Sequence, residues 1–198
     1  MSTLASAADP APLPRVLASA LTAFAEQGYH GTSIRDIAAG AGLSVPGLYH
    51  HYRSKQDVLM ALMIAVMDDL LCRTRTALAG ASGATPAARF DALVEALLRF
   101  HLERQAEAFV ASSEIRSLEG ENRSRYVALR DQQQQMITDV VGEAVAAGAF
   151  DVPHVEDASR AVATLCIGVA GWYRPDGALS QDELVERHLV LARRLVGA

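Results

Sequence analysis

Apolar residues along this chain recur at intervals of three and four, and the runs that carry them are separated by Gly, Pro and Ser. Alternation of the kind that marks a strand is nearly absent. The pattern predicts an all-α protein of about nine helices. The first helix is expected over residues 13–27, with Leu17, Ala20, Leu21 and Phe24 as its buried stripe and Gly28 at its end. Ser33 reads as the N-cap of a short second helix, and Asp36 three residues on completes a capping box. After the turn "GAGL", Ser44 caps a third helix over 45–52. Pro46 falls in its first turn, where no helical hydrogen bond is lost. Ser54, with Asp57 at the matching position, opens a fourth helix that stays apolar to Leu71. Short helices joined by a tight turn at this spacing predict a helix-turn-helix.

Beyond residue 71 the helices lengthen. Thr85-Pro86 starts one that is expected to reach residue 109, followed by a short helix through "SSEIRSL". A long helix over 122–147 is closed by Gly148, and its "QQQQ" run at 132–135 is expected on a solvated face. The segment 155–173 is almost wholly apolar and small-sided (Ala158, Ala161, Ala163, Gly168, Ala170, Gly171), which predicts burial on more than one face. Ser180 and Glu183 form a further capping box at the head of the last helix. That helix carries two apolar stripes, Leu184–His188–Leu191–Leu195 and Val185–Leu189–Ala192–Val196. One chain covers only part of this surface, so the last two helices are expected to pair with their symmetry mates in a homodimer.

Composition narrows the function. A chain of 198 residues with 51% hydrophobic side chains builds a packed core. The net charge of -5 is not that of a generally basic nucleic-acid binder, and residues 1–60 hold four Arg or Lys against four Asp or Glu. Such an average still leaves room for a local contact surface. Cys72 and Cys166 stand far apart in apolar runs and read as reduced core thiols. The N-terminal residues 1–12 lack the pattern of a signal peptide and are expected as a flexible arm. No apolar run reaches membrane-spanning length unbroken, so a cytoplasmic location with no membrane partner is expected. The six histidines show no metal-ligand spacing, and neither a nucleophile elbow nor a glycine-rich phosphate loop occurs. No catalytic residue, metal or cofactor is therefore expected, and the chain reads as a non-enzyme.

The stretch "TSIRDIAAGAGLSVPGLYHHYRSKQDVL" resembles the DNA-binding motif of TetR-family transcriptional repressors. Thr32, Ile37-Ala38, Ala41-Gly42, Ser44, Gly47, Leu48-Tyr49, Tyr52 and Lys55 carry the resemblance. It implies an N-terminal three-helix DNA-binding domain over 13–57 and a helical effector-binding and dimerisation domain over 58–198. The residues agree with that reading. Leu48 and Tyr52, four apart, can anchor the third helix, leaving Val45, Pro46, Gly47, Tyr49, His50 and His51 to face outward. Gly47 permits close approach to a duplex, and Tyr49 and His51 reach phosphates. Val45, Pro46 and His50 are the candidates for base edges. Ser33, Ser44 and Lys55, the only lysine in the chain, stand at helix starts where phosphates bind. Arg35 can reach a guanine.

A second, narrower resemblance is to the branch of the family that responds to acyl-CoA thioesters in fatty-acid or steroid catabolism. Arg116, Arg125, Tyr126, Arg130, Asp131 and the run Trp172 to Gly177 carry it. It implies an effector site containing Arg116, Arg125, Tyr126, Arg130 and Trp172, with guanidiniums for CoA phosphates and an apolar cavity for the acyl part. The expected activity is repression at a palindromic operator, relieved by a small-molecule effector. Two other readings stand beside it. One is a small-molecule carrier bundle whose helix-turn-helix has lost DNA function. The other is a TetR-like regulator of efflux answering a hydrophobic compound.

Overall fold

The computed structural model describes residues 12–198, so the arm expected over 1–12 lies outside the described residues except for Pro12. Among them the chain forms nine α-helices: α1 (Arg15–Gly31), α2 (Ile34–Gly40), α3 (Val45–Tyr49), α4 (Lys55–Gly80), α5 (Pro86–Glu103), α6 (Gln105–Ser113), α7 (Gly120–Ala146), α8 (Val155–Gly168) and α9 (Gln181–Leu195). Single 3-10 turns follow α6 (Glu114–Ser117) and α8 (Val169–Gly171). The fold is all-α, as expected.

The predicted starts are built from the predicted caps. Ser33 accepts from the Asp36 backbone N–H and Asp36 reaches back to the Ser33 backbone, a complete capping box, and Ser180 and Glu183 repeat it at α9. Ser44, Ser54 and Thr85 each cap with the side-chain oxygen alone. In α1 the helical path breaks at Gly28, whose φ of 68° lies in the left-handed region that glycine enters without penalty. The chain turns there, and Tyr29 drops back onto Phe24 with ring centroids 5.8 Å apart.

Three expectations change. The helix expected to run to residue 109 turns at Arg104, where φ is -116° and ψ is 45°. Neither Pro nor Gly marks the corner. The Arg104 guanidinium instead lies 3.4 Å from Glu107 and 3.7 Å from Asp69 of α4, so tertiary contacts fix it. The third helix ends at Tyr49 rather than Tyr52, because His51 N–H donates to the Leu48 carbonyl three residues back and tightens the turn. Cys72 is exposed on α4, and only Cys166 is a core thiol.

Helix α4 is the shared element of the fold. Ten of its residues from Val58 to Thr74 are buried, because α1, α5, α6 and α7 surround it. The last helix divides along a different line from its two expected stripes, with Leu184 of the first buried beside members of the second. Leu184, Val185, Ala192 and Val196 are buried inside the chain, while Val190, Leu191 and Leu195 are more than 40% exposed, beside Ile167 of α8 at 40%.

The capping boxes carry a pH signature. Hydrogen bonds from the Ser33 side chain and backbone hold the Asp36 carboxyl below its ordinary range, and those from the Ser180 backbone and side chain do the same for Glu183. A carboxyl lowered in the folded state contributes stability that is complete above its unfolded value and is lost as pH falls through the folded one. Glu183→Gln preserves the box geometry without the titration. Its melting temperature should fall less steeply than wild type between about pH 5 and pH 3. Equal slopes would remove this carboxylate from the acid response.

Candidate functional site

Two surfaces gather the chemistry. The first is the face formed by α2, α3 and the turn into α4. Ile37, Ala38, Ala41 and Leu48 are buried beneath it, and Val45 and Tyr52 pack against that core. Ser33, Arg35, Ser44, Pro46, Tyr49, His50, His51 and Arg53 are exposed above it. Tyr49, at 48% exposure, is the largest aromatic surface there. Arg35 and Arg53 form no ion pair with any described residue. The Ser44 hydroxyl oxygen accepts from the Gly47 N–H at 3.1 Å. A Cβ at Gly47 would stand 3.2 Å from that hydroxyl. Glycine therefore protects the cap of α3 as well as clearing the outer face.

Lys55 and Gln56 are bound inward. The Lys55 ammonium donates to the carbonyls of Tyr29 and Thr32, each at 2.7 Å, and lies 4.2 Å from the centroid of the Tyr29 ring. The Gln56 amide donates to the Tyr29 hydroxyl at 3.0 Å and to the Ser117 carbonyl at 2.6 Å. Ser117 in turn donates to Glu114 at 2.7 Å. These bonds join the end of α1, the start of α4 and the 3-10 turn after α6.

The second surface is a half-open cavity of about 350 Å³ walled by helices α4 to α8. Val66, Leu70, Leu97, Phe100 and Ile137 make apolar walls. Tyr126, His101, Gln133 and Cys166 also line it, and each is buried. Arg130, Asp131 and Arg160 line its exposed side. Burial pushes the Tyr126 hydroxyl up to about 12, against a smaller opposing pull from Arg130, and the Cys166 thiol up to about 12. Both stay protonated near neutral pH. Burial also lowers the pKa of His101, outweighing its bond at 2.7 Å to the Leu97 carbonyl. The ring is thus neutral, with Nδ1 donating to Leu97 and Nε2 left as an acceptor. Among the described residues no group of His, Cys, Asp and Glu is placed to hold a metal. No helix of the described residues is long and apolar enough to cross a membrane.

Residues 16–62 match the family described as bacterial regulatory proteins, tetR family, and residues 83–196 match the tetracyclin repressor-like C-terminal domain. The HTH-type transcriptional repressor KstR2 of Mycobacterium tuberculosis is 30% identical over 181 residues, 89% of this chain and 88% of that protein. The chain belongs to the TetR family. It is accordingly a helix-turn-helix transcriptional regulator and not an enzyme. The structure of M. tuberculosis KstR2, a ketosteroid transcriptional regulator, superposes with a TM-score of 0.82 at 28% identity over 92% of this chain and 93% of that one. The TetR-family regulator PfmR of Thermus thermophilus does so with a TM-score of 0.82 at 31% identity, covering 91% and 97%. AibR in complex with isovaleryl coenzyme A and operator DNA shares the fold, with a TM-score of 0.79 at 23% identity over 89% and 95%.

Within this TetR-family frame several expected residues move. Lys55 is not a free cation, since two of its N–H groups are taken by backbone carbonyls. The Ser33 hydroxyl is held by Asp36 at 2.6 Å. Of the expected effector residues, Tyr126 and Arg130 line the cavity, while Arg116, Arg125 and Trp172 do not. Positions 126, 130, 133 and 137 share one face of α7, and Arg125 points about 100° away from Tyr126. Arg116 donates to the Ser113 carbonyl and lines a more open cleft of about 410 Å³ beside residues 27–31. Trp172 is 53% exposed and stacks on His188 at 5.6 Å. Sequence reasoning does not single out Arg53, exposed on the first surface two residues from Lys55, or His101, Gln133 and Arg160, which line the cavity.

Lys55→Ala would leave the Tyr29 and Thr32 carbonyls without their donor. The loss should be about 1–3 kcal/mol, as expected for hydrogen bonds to a charged group. It would appear as a lower denaturation midpoint at unchanged slope. An unchanged midpoint would return the ammonium to a purely external role.

Proposed function

We propose that this regulator is a homodimeric repressor, with residues 13–57 reading a palindromic operator and residues 58–198 pairing the chains and binding an effector. The single observation that carries the reading is the position of α4. It walls the cavity with Val66, Met67 and Leu70, and its first turn is bolted to the DNA-binding helices by Lys55 and Gln56. On the DNA face, Tyr49, His50, Pro46 and Val45 meet the major groove. Arg35 and Arg53 supply cations, and Ser44, Gly47 and His51 border the backbone. The first backbone N–H groups of α4, rather than the Lys55 ammonium, face a phosphate. The pairing surface is the exposed apolar strip of Ile167, Val190, Leu191 and Leu195, with Trp172 beside it. A twofold interface on α8 and α9 would bury it and set the distance between the two reading helices.

The effector we infer is an amphipathic anion, with an acyl-CoA thioester as the leading candidate. The cavity offers apolar walls for an acyl group, with Arg130 and Arg160 on its exposed side for phosphates. KstR2, a ketosteroid regulator, supports a ligand of lipid or steroid breakdown. Effector binding favours a position of α4 and of the Ser117 turn in which the two DNA-binding faces no longer match the operator. This shift requires tighter binding of the effector to the released form.

Thermal shift and gel shift test the two halves of the proposal separately. An acyl-CoA at a hundred times its Kd should stabilise the protein by about 2.7 kcal/mol and release operator DNA. Arg130→Ala combined with Arg160→Ala should weaken that response while leaving operator affinity intact. No stabilisation by any CoA ester would remove this effector class. Tyr49→Ala and Arg53→Ala should each weaken operator binding by roughly tenfold or more in a dimer that melts normally. Wild-type affinity in both would overturn the assigned DNA face.

A further inference from the structure

His101 of α5 is 5% exposed and lines the cavity with Leu97 and Phe100 of the same helix. Its Nδ1 lies 2.7 Å from the Leu97 carbonyl, an oxygen that can only accept, so Nδ1 carries the proton of the neutral ring. Nε2 then has a free lone pair. It makes no hydrogen bond with any described residue, yet it is not among the polar atoms sealed inside the chain. The open surface of a ring so deeply buried at a cavity wall is surface in the cavity. The fold itself does not require the imidazole. The Leu97 carbonyl lies inside α5, where the backbone N–H of residue 101 already serves it, and an apolar side chain would complete the wall without stranding a lone pair. Two other buried polar groups there are turned to the protein. The Tyr126 hydroxyl donates to the Ala111 carbonyl at 3.4 Å. Gln133, expected on a solvated face, meets the Thr74 hydroxyl at 3.3 Å, and its amide nitrogen is sealed from the cavity. Cys166 offers only a weak thiol donor.

Resting on the effector-cavity reading above, we propose that His101 is a specificity-determining residue, whose Nε2 accepts a hydrogen bond from a hydroxyl group on the acyl part of the effector. The ligand class is then a hydroxyacyl thioester rather than a plain hydrocarbon one. In the free protein the half-open cavity admits water to this nitrogen. A saturated acyl group displaces water and returns no donor, so it leaves the lone pair buried and unpaired. A ketone at the same carbon fares no better, because its oxygen sets a second lone pair against the first. A hydroxyl completes the bond, and a site built to pair with one rejects the analogue that lacks it. The amide N–H groups of the CoA arm are the other donors in such a ligand. Arg130 and Arg160 would hold the charged head at the exposed side of the cavity, which leaves the buried His101 to the acyl end.

Nitrogen NMR of the histidine-labelled protein near neutral pH tests the acceptor first. His101 should show a protonated Nδ1 and an unprotonated Nε2. The opposite tautomer, or a doubly protonated ring, overturns the proposal. Isothermal titration then compares octanoyl-CoA with a set of octanoyl-CoAs carrying one hydroxyl at each chain carbon in turn, and with the oxo counterpart of the tightest. Wild type should bind at least one hydroxyl ester about tenfold more tightly than octanoyl-CoA, one well-made hydrogen bond's worth. The oxo counterpart should gain nothing. His101→Phe keeps an aromatic ring and removes the acceptor, so it should bind the hydroxyl ester and octanoyl-CoA alike. If octanoyl-CoA binds and no hydroxyl ester gains, or if the gain survives in the variant, the role of His101 is overturned and the cavity reading stands. If the variant weakens octanoyl-CoA as much as the hydroxyl ester, the donor is the CoA arm and the hydroxyacyl class is overturned. The tautomer and the wild-type comparison decide the matter even if His101→Phe does not fold. If none of these esters binds, the acyl-CoA reading falls, and this inference with it.

Discussion

Lys55 begins α4 and ends α1. Its ammonium holds the last carbonyls of the α1 region at 2.7 Å while its own backbone starts a helix that runs to Gly80. Gln56, one residue on, adds the Ser117 carbonyl from the other side. Three separate parts of the chain thus meet on two adjacent side chains. The DNA-binding helices cannot tilt relative to α6 without stretching one of these bonds. The same α4 lies against α5 and α7 further along, so any change in the cavity bears on the latch through one continuous helix. A helix buried on most sides behaves as a rigid lever rather than a soft one.

The cavity shows a second constraint, a polar interior kept at a cost. His101 is neutral, and Tyr126 and Cys166 stay protonated. None of these groups brings a charge inside. Charge stays on the exposed side, with Arg130, Asp131 and Arg160. On the proposed reading, such a site suits molecules with an apolar body and an anionic head. Proteins that bind ligands often carry such locally unfavourable groups and recover the stability elsewhere, here in the close-packed α4.

Much of this is legible in the sequence, and the reasons for the exceptions are physical. Caps are local: Ser33, Ser44, Ser54, Thr85 and Ser180 each act within three residues, so each is readable and each holds. The corner at Arg104 depends on Asp69, thirty-five positions away, and leaves no local mark. Side-chain direction is the other weak point. Periodicity identifies α7 as a helix but does not say which face meets the cavity, so Arg125 and Arg130 look alike in the sequence while Gln133 looks solvated. Lys55 misleads for the same reason. A lone lysine at a helix start suggests a phosphate, and only the fold reveals two carbonyls closer at hand.

The commitment of Lys55 inside the chain bears on how this regulator would hold DNA. Each DNA-binding face retains Arg35 and Arg53 as cations without an ion pair among the described residues, in a chain of net charge -5. Few phosphate contacts per chain give weak nonspecific attraction and a shallow dependence on salt. On the proposed reading, affinity then comes mainly from placing two such faces at once, at the spacing the operator demands. Binding of that kind is sensitive to geometry, because losing one face forfeits most of the gain from linkage. A small displacement of α4 in each chain would suffice to break it. The modest charge of the DNA-binding face and the rigid latch at its base are in this sense complementary. Weak single contacts make release easy, and the latch makes the effector's small push count.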